Sequence, residues 1–170
     1  MDEQLVIVEY DRRWEERFQS LRDGIAPFLN GLVVSIEHVG STAIRGVAAK
    51  PIIDIDVVVR SHEDIRKVIE KLAFLGYRHV GDLGVKEREA FESPKGSPSH
   101  HLYVCSLDSK EFRRHIAFRD YLRKHPNKAR QYSELKRSLA ARHGNDRGAY
   151  TEAKTDFVNR ILRLAGLATL

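Results

Sequence analysis

Pro51-Ile-Ile-Asp-Ile-Asp-Val-Val-Val59 is the stretch that decides how this chain is read. It is apolar and β-branched, so it reads as a strand built for burial. In a strand, residues i and i+2 point to the same face, about 6.6 Å apart at Cα. Asp54 and Asp56 therefore stand side by side on one face, and Ile53, Ile55 and Val57 fill the other. Aspartate is depleted in strands, and adjacent like charges repel. A divalent cation such as Mg²⁺, which prefers carboxylate oxygens, would offset that cost. The bland alternative is a pair of aspartates lining a polar sheet edge.

Upstream, Leu32-Val-Val-Ser-Ile-Glu-His-Val39 reads as a strand that breaks at Gly40-Ser41-Thr42. A glycine there lets backbone approach a ligand closely, and free N–H groups at a helix start favour anions. Taken alone, Gly40 and Ser41 make an ordinary strand-to-helix turn. Next to Asp54 and Asp56 they suggest a phosphate cradle beside a metal-holding carboxylate pair, the arrangement that positions a nucleotide for in-line attack at phosphorus. Lys50 precedes the strand and is placed either to meet a phosphate as a point charge or to remain an exposed lysine.

Further outward, Leu5 to Glu9 reads as a short strand. Asp11 is a candidate cap for a helix from Arg12 to about Leu29, with Trp14, Phe18, Leu21, Ile25 and Phe28 at helical spacing as core. Ser61 caps a helix to about Phe74, and Tyr77 to Val80 reads as a strand. Residues 81–99, with Ser93-Pro-Lys-Gly-Ser-Pro-Ser99, read as loop, either a flap or a surface connection. His101-Leu-Tyr-Val-Cys105 is a strand, and helices follow over about 109–124, 127–143 and 147–166. The expectation is a single α/β (α+β) domain over 1–170. Its core spans about 5–106 as a mixed β-sheet flanked by helices, followed by a helical tail over about 109–166.

The chain has 170 residues, 42% hydrophobic and 31% charged, which fits one folded domain and argues against disorder. One cysteine, Cys105, forms no internal disulfide, and neither a signal peptide nor a membrane span is evident, so a cytoplasmic address is expected. The net charge of +5 is uneven. Residues 109–143 hold eleven Lys/Arg and three acids, which suggests an anionic partner or a solvated helical face. No stacking-aromatic nucleic-acid module accompanies them, so nucleic-acid binding by these helices ranks last.

Glu37-His-Val-Gly-Ser-Thr-Ala-Ile-Arg-Gly-Val-Ala-Ala-Lys-Pro-Ile-Ile-Asp-Ile-Asp56 resembles the signature of the GrpB family of the nucleotidyltransferase (polymerase-beta-like) superfamily. The likeness continues through Val8-Glu-Tyr-Asp11, His100-His-Leu-Tyr-Val104, Phe118-Arg-Asp-Tyr-Leu-Arg123 and Tyr150-Thr-Glu-Ala-Lys154. The resemblance implies a nucleotidyltransferase-like fold in which Gly40 and Ser41 hold the phosphates of a nucleoside triphosphate, and Asp54 and Asp56 hold Mg²⁺. A nucleotidyl group would pass to an unidentified acceptor. Active members of the superfamily usually add a third carboxylate on a later strand. Here that strand offers histidines, so His101 is the candidate base or ligand, with Glu89 as a carboxylate reaching in from the loop.

Arg119 shares a helical stripe with Phe112, His115, Ile116 and Leu122, and is placed either to pair with a carboxylate or to clamp a phosphate. Lys136, Tyr150 and Lys154 are weaker candidates from the family pattern, with Lys154 assigned to phosphate. The alternative to an enzyme is a non-catalytic nucleotide sensor on the same fold.

Overall fold

The computed structural model describes residues 6–144 and 146–167. Helix α1 (Arg13–Ile25) runs into a 3₁₀ turn, Ala26–Leu29. Strand β1 (Val33–Val39) leads through the turn Ser41–Ala43 to β2 (Ile53–Val59) and α2 (His62–Phe74). Then come β3 (Arg78–Gly81), β4 (Arg88–Glu92) and β5 (His100–Ser106). Helices α3 (Lys110–Lys124), α4 (Pro126–His143) and α5 (Arg147–Leu164) complete the order.

The strands form one mixed sheet in the order β1-β2-β5-β4-β3. β2 pairs antiparallel with β1 and parallel with β5, so it has a neighbour on each edge. One face carries Ile53, Ile55, Val57, Leu102 and Val104, packed against Trp14, Phe18 and Ile25 of α1 and Ile65, Val68 and Leu72 of α2. Each large apolar side chain buried there is worth about 1.5–3 kcal/mol. The opposite face carries the aspartates and lies under the C-terminal helices. There Leu122, Ala129, Tyr132 and Ile161 enclose Ile44 and Val47, the residues that follow the turn. The aspartate pair thus sits between sheet and helices.

Several expectations are corrected. Residues 81–99 contain β4, whose pairing with both β5 and β3 makes a strand of a polar segment. α1 ends at Ile25 and the chain tightens into 3₁₀ geometry, which turns Phe28 outward at 51% exposure instead of into the core. Of the expected first strand, Leu5 lies outside the described residues, and Val8 forms a single antiparallel bridge to Ala49. Asp11 caps one residue further out than expected: its Oδ1 accepts the Arg13 N–H at 2.9 Å, while Arg12 holds the N-cap position.

Candidate functional site

The register of β2 sets the site. Asp54 lies between Val39 of β1 and His101 of β5, and Asp56 between Glu37 and Tyr103. The residues of β5 beside the pair are therefore a histidine and a tyrosine, not a third carboxylate. His101 Nδ1 lies 2.9 Å from Asp54 Oδ1. A carboxylate accepts, so Nδ1 carries the hydrogen and leaves Nε2 as the basic nitrogen. His100 points the other way and is bound to the Tyr77 hydroxyl at 2.8 Å and the Pro98 carbonyl at 2.6 Å, a structural position.

Asp56 is 1% exposed. Its Oδ2 accepts from His115 Nδ1 at 2.7 Å, and His115 Nε2 lies 3.1 Å from Glu111 Oε1. Burial opposes charge on His115, but the hydrogen bonds to Asp56 and Glu111 outweigh it and raise its pKa to about 10. The other oxygen, Asp56 Oδ1, is buried and has no hydrogen-bond partner. An orphaned buried carboxylate oxygen is costly, and it is what a hard cation would satisfy.

Gly40 has φ +71° and ψ −170°, a conformation open almost only to glycine. A Cβ there would lie 2.3 Å from Asp54 Oδ2. The turn thus presses backbone against the carboxylate where any side chain would intrude. Thr42 fastens it, with Oγ1 bonded to buried His38 at 2.9 Å. The Ser41–Ala43 turn is a single 3₁₀ turn, too short to carry much of a helix dipole. The expected anion attraction from a helix start is weak here, and lysines supply the positive charge instead.

A cleft of about 140 Å³ is lined by Ser41, Lys50, Asp54, His101, Lys136, Tyr150 and Lys154, among others. Seven residues singled out as site candidates, from β2, β5, α4, α5 and the segment between β1 and β2, meet there. Lys136 is 3% exposed, and burial together with neighbouring Lys154 lowers its pKa to about 7. Burial and Lys50 lower Lys154 to about 8, and burial and Arg147 lower Lys50. Among the described residues none of the three makes an ion pair. Their ammonium groups lie over aromatic rings, Lys154 at 4.1 Å and Lys50 at 5.5 Å from Tyr150, and Lys136 at 4.9 Å from Tyr132. Ring faces stabilise a cation by about 0.5–2 kcal/mol, which leaves a demand for anion in the cleft.

Two candidates fall elsewhere. Arg119 bonds Glu37 Oε2 and Asp120 Oδ1, each at 2.8 Å, and the His38 carbonyl at 3.0 Å. It is the carboxylate-paired arginine, tying α3 to β1, and not the phosphate clamp. Glu89 sits on β4, 2.6 Å from His79 Nε2, and does not reach the aspartates. Sequence reading missed Glu111 and the part played by His115. Their i, i+4 spacing on α3 was the available signal.

Among the described residues no three His, Cys, Asp or Glu groups converge on one point, so a cation at this site would have the aspartate pair as its protein ligands. Two carboxylates suit Mg²⁺, which keeps several waters and shares substrate phosphates. The free Asp56 Oδ1 and the side-chain-free Gly40 beside Asp54 fit that group.

The five-stranded mixed sheet and its flanking helices form a nucleotidyltransferase-like fold. The Cid1 poly(U) polymerase in an MgATP-bound form superimposes with a TM-score of 0.59 at 13% identity, over 81% of this chain and 45% of that one, a likeness of fold. The chain belongs to the GrpB protein family, whose sequence model matches residues 4–164. It is 34% identical over 164 residues to the glutamate-rich protein GrpB of Alkalihalophilus pseudofirmus, covering 94% of each chain. The crystal structure of GrpB from Enterococcus faecalis matches with a TM-score of 0.83 and 32% identity, over 94% of this chain and 96% of that one. The protein YqkA of Bacillus subtilis is 34% identical over 152 residues, and the match spans 44% of its length. No helix among the described residues is long and apolar enough to cross a membrane.

Proposed function

We propose that this chain binds the phosphates of a nucleoside triphosphate in the lysine cleft and transfers a nucleotidyl group to an acceptor, with Mg²⁺ held by Asp54 and Asp56. The observation that carries this reading is the meeting of Ser41, Lys50, Lys136 and Lys154 with Asp54 and His101 in one cleft. Bound Mg²⁺ would neutralise charge developing on phosphate oxygens. The three lysines bind and orient the outer phosphates, while Gly40 and Ser41 bring backbone close to the chain of phosphates. His101, its Nδ1–H held by Asp54, presents Nε2 to take the proton of an acceptor hydroxyl as that oxygen attacks the α-phosphorus and pyrophosphate leaves. α3–α5, packed over this face, exclude water from Asp56.

The test is calorimetric titration of the chain with a non-hydrolysable nucleoside triphosphate, with and without Mg²⁺. Saturable binding that needs Mg²⁺ and is lost in Lys136→Met with Lys154→Met supports the reading. No binding to the native chain removes it.

A second reading, a non-catalytic nucleotide sensor, is favoured by one observation. β5 offers His101 and Tyr103 beside the aspartates, and His115 occupies one oxygen of Asp56. Tight triphosphate binding with no pyrophosphate released against pools of small-molecule, protein and nucleic-acid acceptors favours the sensor.

A further inference from the structure

A second cavity, of about 230 Å³, opens against the same turn. Gly40 and Ser41 line it together with Glu111, Arg114, His115, Phe118, Tyr132, Val158 and Leu162, and Ser41 lines both cavities. Tyr132 is the partition. Its ring forms part of the second cavity, while Lys136 of the lysine cleft lies over it. Each space alone is smaller than the roughly 300–1,000 Å³ of a typical small-molecule site, and together they fall within that range.

The two differ sharply in chemistry. The first holds three lysines. The second holds none, and its wall is Phe118, Tyr132, Val158 and Leu162. Phe118 meets Tyr132 edge-on at 5.2 Å, and Phe157 stacks on Tyr132 at 5.2 Å, so the aromatic wall is braced from behind. Two polar groups suit hydroxyls or base edges: Glu111, and Arg114, which makes no ion pair among the described residues. The second cavity's single carboxylate, Glu111, faces His115 and Arg114, whereas the first cleft gathers three lysines, so the lysine cleft is the more cationic of the two and takes the anionic end of an elongated ligand.

We propose that the second cavity is the nucleoside subsite of the same ligand. The phosphates lie among Lys50, Lys136 and Lys154, and the chain passes Ser41 beside Asp54. The base rests on Phe118, Val158 and Leu162, with Arg114 and Glu111 reaching its polar edge or the sugar hydroxyls. This assignment rests on the triphosphate reading of the lysine cleft and adds to it the place where the base and sugar are held.

The experiment compares inorganic tripolyphosphate with ATP, GTP, CTP and UTP by calorimetry on the native chain and on two variants, each with Mg²⁺. Val158→Trp fills the cavity and Phe118→Leu removes its aromatic face at nearly constant bulk. The expected result is at least one nucleoside triphosphate bound tenfold or more tightly than tripolyphosphate by the native chain. That preference falls to near unity in Val158→Trp and at least threefold in Phe118→Leu, with tripolyphosphate affinity unchanged in both. Equal affinities for tripolyphosphate and all four nucleotides in the native chain overturn the subsite but leave the lysine cleft standing. So does a preference that survives in Phe118→Leu and in any folded Val158→Trp. No binding of either ligand class to the native chain removes both assignments.

Discussion

Gly40 stands against the carboxylate of Asp54 so closely that a Cβ on Gly40 would lie 2.3 Å from Oδ2. The glycine is required twice over, by its positive φ and by this contact. Gly40→Ala is expected to cost about 1–3 kcal/mol in backbone strain and to push the Asp54 carboxylate aside. Thermal denaturation should register the first effect. The second should appear as at least a tenfold loss of Mn²⁺ affinity, read by electron paramagnetic resonance; undiminished Mn²⁺ binding would contradict this geometry.

The two aspartates should not behave alike. Asp54 is partly exposed and pairs with a half-exposed histidine, so Asp54→Asn should cost under about 1 kcal/mol. Asp56 is buried against the His115 imidazolium, and breaking a buried pair costs about 3–5 kcal/mol. Both variants should lose cation binding, but only Asp56→Asn should melt markedly earlier in metal-free buffer. Equal melting temperatures would show that the Asp56–His115 pair is not a stabilising element.

Lys136→Met separates affinity from stability. The folded-state pKa of Lys136, about 7, lies below the ordinary 10.5, so between those values the unfolded chain binds a proton that the folded chain does not. Stability from this group therefore rises with pH across that window. His115, with its raised pKa, contributes in the opposite direction, so the Lys136 share is read as the difference between wild type and variant. At pH 6, Lys136→Met should be about 1–3 kcal/mol more stable, because a buried unpaired charge is gone. Tripolyphosphate affinity should fall about tenfold at that pH. In the wild type the affinity should decline as pH rises past 7, with proton uptake on binding. An affinity independent of pH from 6 to 9 would count against Lys136 as an anion ligand.

Arg119 joins α3 to β1 through Glu37 and the His38 carbonyl. Arg119→Lys keeps the charge but loses the planar fork, and should cost about 2–4 kcal/mol by leaving these partners poorly satisfied. Tripolyphosphate binding by the folded variant should be unchanged. A phosphate-clamping arginine would instead show a large affinity loss with little change in melting.

Much of the site was legible because its signals are local. The alternation of Ile53, Ile55 and Val57 with Asp54 and Asp56 shows a strand with one charged face, whatever surrounds it. The same holds for the 3.6-residue stripes of α1 and α2. β4 was hidden because Arg88-Glu-Ala-Phe-Glu92 is mostly polar and becomes a strand only between two partners. Phe28 deceived for the opposite reason. Its spacing fits α1, but the helix tightens after Ile25 and the ring rotates out.

Chain order alone determined that two carboxylates share a face two residues apart, and that a glycine turn precedes them on a sheet flanked by helices. Those relations follow from backbone periodicity and survive any packing. Only the tertiary structure decided that Lys136 and Lys154, some eighty and one hundred residues further on, surround Asp54. It alone bound Asp56 to His115 and committed Arg119 to Glu37. Long-range contacts depend on how α3–α5 settle over the sheet, and charges brought together there acquire properties, such as the lowered Lys136 pKa, that no side chain has in isolation.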